Sequence, residues 1–334
     1  MRWWLVATFG LVFVMVLVGG ATRLTGSGLS MVDWSAVGSA PPTDEAGWKE
    51  RWDLYAASPE ARQVNPSMTL EEFKGIFWWE YVHRMLGRLV GVVYGVPWLV
   101  FLIRKRLKGR MLFMSTVALV LGGLQGGVGW WMVKSGLVSR PEVSHYRLAV
   151  HLGLALFIAM WLLWMMLELQ ASVREYGRER SRGRRATIGL LVLVAVQTVW
   201  GAFMAGKKAG WRYDTWPDMD GRFLPEAAFP TAGAWVEDGA TIHWIHRTLA
   251  WVIAAAAVAW WWRARRDAST FRRRAAHAVL AAVGVQFVLG VATILAHVPV
   301  TLGVAHQAGA FALLAALVTA VHSGGPAPAG RIGF

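Results

Sequence analysis

Apolar residues run along this chain in long blocks separated by short polar stretches. A membrane-crossing helix needs roughly 20 mostly apolar residues. Eight stretches reach that length, near 3–22, 78–103, 111–131, 147–169, 187–206, 242–262, 278–297 and 303–322. The first has the basic-then-apolar order of a signal peptide, with Arg2 ahead and Gly19, Gly20 and Ala21 behind. Its length, and the recurrence of its tail later in the chain, make it the first span instead. In the 23–75 loop, Thr43, Asp44 and Glu45 open an amphipathic stretch through Trp48, Trp52 and Tyr55. Thr69 and Glu72 have capping-box spacing just before the second span. Short interfacial helices lidding a site beneath them are expected there. The 207–240 loop, with Pro217, Pro225 and Pro230, reads as irregular, and the tail 323–334 as disordered.

Charge adds direction to these elements. Segments 104–110, 174–185 and 263–274 carry 17 Lys or Arg, whereas the much longer loops 23–75, 132–147 and 207–240 carry 12 together with most of the acids. The positive-inside rule makes the three basic segments cytoplasmic and places both termini inside. Composition agrees with a membrane chain: 56% of residues are hydrophobic and 16% charged, where a soluble domain has about a quarter charged. The net charge of +14 therefore reads as topology. No solvated basic domain remains to bind nucleic acid. Without a cysteine in the chain, disulfides, thiolate metal sites and a cysteine nucleophile are excluded.

Spans one to four resemble spans five to eight. Gly20 and Asp33 find counterparts in Gly201 and Asp214, His83-Arg84 in His246-Arg247, and His151 in His306. Gln125 with Gly129, Gln286 with Gly290 and Gln197 with Gly201 repeat one spacing, which reads most simply as helix seams closed on a small residue and bridged by an amide. Each half starts inside, so the duplication is parallel. The fold expected is an all-α integral membrane protein with eight transmembrane helices. They form two tandem pseudo-symmetric four-helix bundles, 1–170 and 187–322, joined by a basic cytoplasmic linker at 171–186.

Of nine histidines, His83, His151, His246 and His306 lie near the outer ends of the even-numbered spans, two per half. Ionisable groups in a membrane are costly and usually functional. Two imidazoles from facing helices can clamp a heme iron, and no acidic cluster points to a dinuclear metal site. His145, His243, His277, His297 and His322 sit nearer the interfaces and read as solvated or hydrogen-bonded. The halves differ at one position, where Glu80 precedes His83 by three residues and His243 precedes His246 by three. Residues at that spacing share a helix face, ~4.5 Å apart along the axis. Glu80 then either works at the edge of whatever His83 ligates or simply pairs with Arg84 one turn on. Arg84, Arg88 and Arg247 either meet heme propionates or face solvent and lipid phosphates.

At these residues the chain resembles the heme A synthase family of cytochrome oxidase assembly. The likeness rests on the run from Gly19 to Ser30 (GGATRLTGSGLS), on Glu80-Tyr81-Val82-His83-Arg84, and on His151, His246-Arg247 and His306-Gln307. The resemblance implies an oxidoreductase that converts a methyl group of heme O to a formyl group, through an alcohol, giving heme A. It also implies His83 and His151 as axial ligands of the substrate heme, His246 and His306 as ligands of a heme b cofactor, and Glu80 as the acidic residue of the reaction centre. Expected partners are the heme O-producing farnesyl transferase, an electron acceptor or donor, and membrane lipid. The expected location is the cell inner membrane, with the heme sites toward the extracytoplasmic side. Some relatives carry a cysteine pair in the first outer loop, which this chain lacks. The rival reading is a diheme b-type electron carrier, which needs the same histidines but not Glu80.

Overall fold

The computed structural model describes residues 1–33, 40–137, 141–171, 183–267 and 269–323. Among them every regular element is helical, and eight helices are long and apolar enough to cross a membrane. These are α1 (Arg2–Leu24), α4 (Leu70–Ile103), α5 (Gly109–Leu137), α6 (His145–Ala171), α7 (Arg184–Gly206), α9 (Gly239–Ala264), α10 (Thr270–Leu295) and α11 (Val300–Ser323). Three short α-helices fill the loops: α2 (Glu45–Ala56), α3 (Pro59–Gln63) and α8 (Ala234–Glu237). The multi-pass membrane architecture expected from the apolar blocks is therefore present. Most of the expected linker and tail lie outside the described residues.

The helix starts follow their local chemistry. Asp44 caps α2 by accepting from the Gly47 amide at 2.8 Å, and Ser58 caps α3 from the Ala61 amide at 3.2 Å. Thr69 and Glu72 form the capping box, so α4 begins well before the apolar block does. That extra N-terminal length has a use: Phe73 and Phe77 on α4 bury against Tyr55, Met31 and Ala61, and the Tyr55 and Phe73 rings stack at 5.1 Å. The short helices α2 and α3 thus form an aromatic lid seated on the N-terminal end of α4. The 207–240 loop is irregular as expected, apart from a 3-10 turn at Ala209–Trp211 and the single turn of α8.

Helix neighbours close two rings. One runs α1, α4, α5, α6 and back to α1; the other runs α7, α9, α10, α11 and back to α7. α1, α6, α7 and α11 also pack across the rings. Their halves remote from the lid hold the larger core cluster, including Leu5, Val12, Leu162, Met165, Leu190 and Leu317. At the end of the bundle remote from the lid, Glu168 on α6 accepts from Arg110 of α5 at 3.1 Å and from the Trp164 indole at 3.0 Å, with His322 of α11 at 3.8 Å. His322 is buried there rather than solvated.

Helix α9 carries His243, His246 and Arg247, so its start sets their register. Asp238 caps it, accepting from the Thr241 amide at 2.8 Å and the Thr241 hydroxyl at 3.0 Å. Thr241 in turn accepts from the Phe229 amide at 2.8 Å. Asp238→Ala should cost about 1 kcal/mol. A lowered melting midpoint of the purified protein checks it, and an unchanged midpoint would show the cap to be idle.

Candidate functional site

The four singled-out histidines occupy one recurring arrangement. Each stands on the second helix of a pair, with its ring over a glycine of the first. A Cβ added at Gly19 of α1 would lie 2.9 Å from Cε1 of His83 on α4; at Gly129 of α5, 3.0 Å from His151 on α6. In the other ring, Gly201 of α7 stands 3.4 Å from His246 on α9 and Gly290 of α10 stands 3.0 Å from His306 on α11 by the same measure. At Gly19, Gly129 and Gly290 the approach is close enough that a side chain would press into the imidazole, whereas at Gly201 a Cβ would meet the ring at ordinary contact distance.

Three of these glycines carry a glutamine one turn before them. Gln125 donates to the His151 carbonyl at 3.0 Å and approaches its Nδ1 at 3.2 Å. Gln197 donates to the His246 carbonyl at 2.9 Å, and Gln286 lies 3.3 Å from Nε2 of His306. The amides do bridge helix seams, but what they hold is the histidine itself, so the spacing belongs to the site rather than to general packing. Next to Gly19 the equivalent position is Met15, and the partner of His83 is thus Gly19 rather than the neighbouring Gly20. Gly20 faces the amide of Gln307, whose Nε2 donates to the Val16 carbonyl at 2.7 Å.

These rings are fit to hold a heme. The His246 and His306 centroids are 6.5 Å apart. An iron bound at roughly 2 Å by each facing ring nitrogen would separate two imidazole centroids by roughly 6 Å. The Nδ1 atoms of His83, His246 and His306 are buried without a hydrogen-bond partner, so those nitrogens do not tie helices together. The glutamine approaches to Nε2, 3.5 Å at His246 and 3.3 Å at His306, are longer than the usual hydrogen bond, so they hold that nitrogen only weakly. His83 and His151 lie within electrostatic reach of each other. Among the described residues no group of three or more His, Cys, Asp or Glu gathers to bind a bare metal ion. Two neutral imidazoles per site suit a macrocycle that brings its own four equatorial nitrogens.

Glu80 is buried, at 3% exposure, and is a fully engaged acceptor. Its Oε2 takes the Ser30 hydroxyl at 2.7 Å and the Met31 amide at 2.8 Å. Its Oε1 takes Arg84 Nε at 3.1 Å and Nη2 at 2.5 Å. Arg84 also donates to the carbonyls of Met31 at 2.8 Å and Asp33 at 2.9 Å. The pairing with Arg84 is real, and it locks the carboxylate one turn from His83 while clamping the segment after α1. In the other ring, Arg247 donates to His243 Nε2 at 2.9 Å and to the carbonyls of Tyr213, Thr215 and Asp218. His243 is fully buried and hydrogen-bonded, not solvated. Both arginines are occupied with loop carbonyls, an arrangement sequence could not reveal because the acceptors are backbone atoms.

A family model described as cytochrome oxidase assembly protein, COX15-CtaA, matches residues 2–318. The protein from Caulobacter vibrioides named heme A synthase is 46% identical over 93% of this chain and 92% of its own length. The heme A synthases of Parvibaculum lavamentivorans and Paramagnetospirillum magneticum are 43% and 44% identical, each over 96% of this chain and over 93% and 92% of their own lengths. With the match running from the first membrane helix almost to the end of the last, the chain belongs to the COX15-CtaA family of cytochrome oxidase assembly proteins.

Proposed function

We propose that this chain is a heme A synthase, an oxidoreductase that converts a methyl group of heme O to the formyl group of heme A through an alcohol. The observation that carries this reading is the pair of glycine-cradled histidine sites, only one of which has a buried carboxylate one turn away. Relatives that bear this name align with nearly the whole chain.

In this reading His83 and His151 bind the substrate porphyrin, and His246 and His306 hold heme b, which supplies a one-electron redox centre. Gly19, Gly129, Gly201 and Gly290 fix the ring positions, and Gln125, Gln197 and Gln286 steady them. Glu80 stands at the edge of the substrate, oriented by Ser30, Met31 and Arg84. There it takes a proton from the methyl carbon under oxidation or from the water that adds to it. The lid of α2 and α3 excludes bulk water from that face.

The architecture goes with this division of labour: two tandem pseudo-symmetric bundles, 1–170 and 187–322, one for substrate and one for electron transfer. The matching His–Gly contacts and arginine clamps in the two rings support the duplication. The distribution of Lys and Arg supports termini in the cytoplasm and sites toward the outside of the cell inner membrane. A farnesyl transferase delivering heme O and an external electron acceptor complete the scheme.

Acid-acetone extraction of the purified protein, with chromatography and mass identification, tests it. Heme b together with heme O, heme A or the alcohol is the expected result. Heme b alone, from a host supplied with heme O, would make the chain a diheme electron carrier.

A further inference from the structure

The lid contains a second buried carboxylate, Glu60 of α3, only 9% exposed. No cation pairs with it directly among the described ion pairs. Its side chain receives one long hydrogen bond, from the Tyr55 hydroxyl at 3.4 Å. Tyr55 is itself fully buried, and its oxygen accepts from Asn65 Nδ2 at 2.8 Å, which turns the phenolic hydrogen toward Glu60. The Glu60 carbonyl accepts from the Val64 and Asn65 amides at 2.8 and 3.1 Å, so the turn holding Asn65 is fixed to Glu60's own backbone.

Charged groups converge on this carboxylate from several elements. Glu80 acts from α4, Arg23 from α1 and Lys208 from the end of α7. α5, which packs against α3, has Lys134 in its last turn, but that ammonium lies over the Trp130 ring at 5.1 Å. Glu80 belongs to the first histidine site. Lys208, at the other extreme, is 46% exposed and pairs with Glu142 at 3.1 Å. Ala61, next in sequence to Glu60, packs in one cluster with Met31, whose amide binds Glu80, so Glu60 lies beside the first histidine site in a lid whose other side reaches water. Burial, with the like charge of Glu80 second, pushes its carboxyl up to about 7. Such a group exchanges protons readily at neutral pH.

We propose that Glu60 is the proton-relay residue of the lid, passing protons between the first histidine site and the outer surface. This rests on the heme A synthase reading. Oxidising a buried methyl group moves protons into or out of the site, whichever oxygen source is used. Glu80 is held by four donors, and the lid covers its face. Glu60 takes a proton as carboxylate and gives it up as carboxylic acid, with no net change over a cycle. It touches no reacting atom and acts on the site only by supplying or draining protons.

The test uses the full chain in detergent or vesicles. Glu60→Gln should keep both hemes yet convert heme O on the order of hundredfold more slowly, the low end for an acid–base group, with the limb of the pH profile near 7 abolished. Glu60→Asp should restore that limb. Infrared titration of the resting protein should show a carboxyl band with a midpoint near 7, absent from Glu60→Gln. An unchanged pH profile and band in Glu60→Gln would overturn the proposal, as would heme loss in step with activity. If Glu60→Gln does not fold, Tyr55→Phe serves: loss of its donor moves the midpoint upward, and an unmoved midpoint counts against a titrating Glu60. Absence of heme A from the wild type would defeat the enzymatic reading, while the band would still show whether Glu60 titrates.

Discussion

Glu80→Gln is expected to leave both histidine pairs loaded and to bring methyl oxidation nearly to a halt. The substitution is nearly isosteric, and Glu80 is not a ligand, so porphyrin binding through His83 and His151 has no reason to fail. What disappears is the ability to accept a proton one turn from the substrate's iron ligand. Positioned acid–base groups contribute about 10²- to 10⁴-fold, so heme O should accumulate at the expense of heme A by a factor in that range. The amide also fits the site less well. If its oxygen keeps the Ser30 and Met31 bonds, its NH2 faces the Arg84 guanidinium, which already donates to Met31 and Asp33. That mismatch costs on the order of 1–3 kcal/mol and should loosen the lid without emptying the site. The ratio of heme O to heme A in extracts, set against total heme per protein, separates the two effects. Normal heme A content in this variant would remove Glu80 from the chemistry and leave it a structural partner of Arg84.

Much of the fold is legible in the sequence because membrane segments obey coarse rules. Eight apolar runs become eight helices, since each span satisfies its own backbone whatever surrounds it. The capping boundary at Thr69 is local chemistry, and the structure has it. The histidines stand out because ionisable residues are rare in such helices. What sequence misses depends on tertiary register. The Gln-x-x-x-Gly spacing is visible three times, but its partners, the histidine carbonyls and rings, come from another helix. Arg84 and Arg247 read as facing propionates or solvent, whereas backbone carbonyls hold them. Glu60 carries no motif that marks it, and only the packing of the aromatic lid buries it. His243 and His322 look peripheral because groups that bury them, Tyr213 for His243 and Trp164 with Glu168 for His322, come from elsewhere in the fold.

The glycine cradle makes the sharpest demand on the fold, and Gly290→Val tests it. A Cβ at Gly290 would already stand 3.0 Å from Cε1 of His306, with Nδ1 at 3.6 Å and Nε2 at 3.7 Å. Valine adds two further methyl groups on a stiff χ1, and the face of α10 there meets the imidazole. Either His306 rotates away from His246 or the two helices part, and both break the 6.5 Å ring spacing. Overpacking of this kind costs about 1–3 kcal/mol in a closed core, enough to shift ligation without unfolding eight helices. The expected outcome is loss of the heme assigned to His246 and His306, while porphyrin stays on His83 and His151 in the other ring. Gly284→Val is the control: on the same helix and exposed, its added Cβ meets nothing within 4 Å. It carries the same helix-propensity change and should retain both hemes. If both variants keep an unaltered heme spectrum, His306 is not held by that cradle in the loaded protein. If both lose heme equally, the defect lies in α10 as a helix and not in the contact. Only heme loss confined to Gly290→Val fits a ligand positioned by the glycine beneath it.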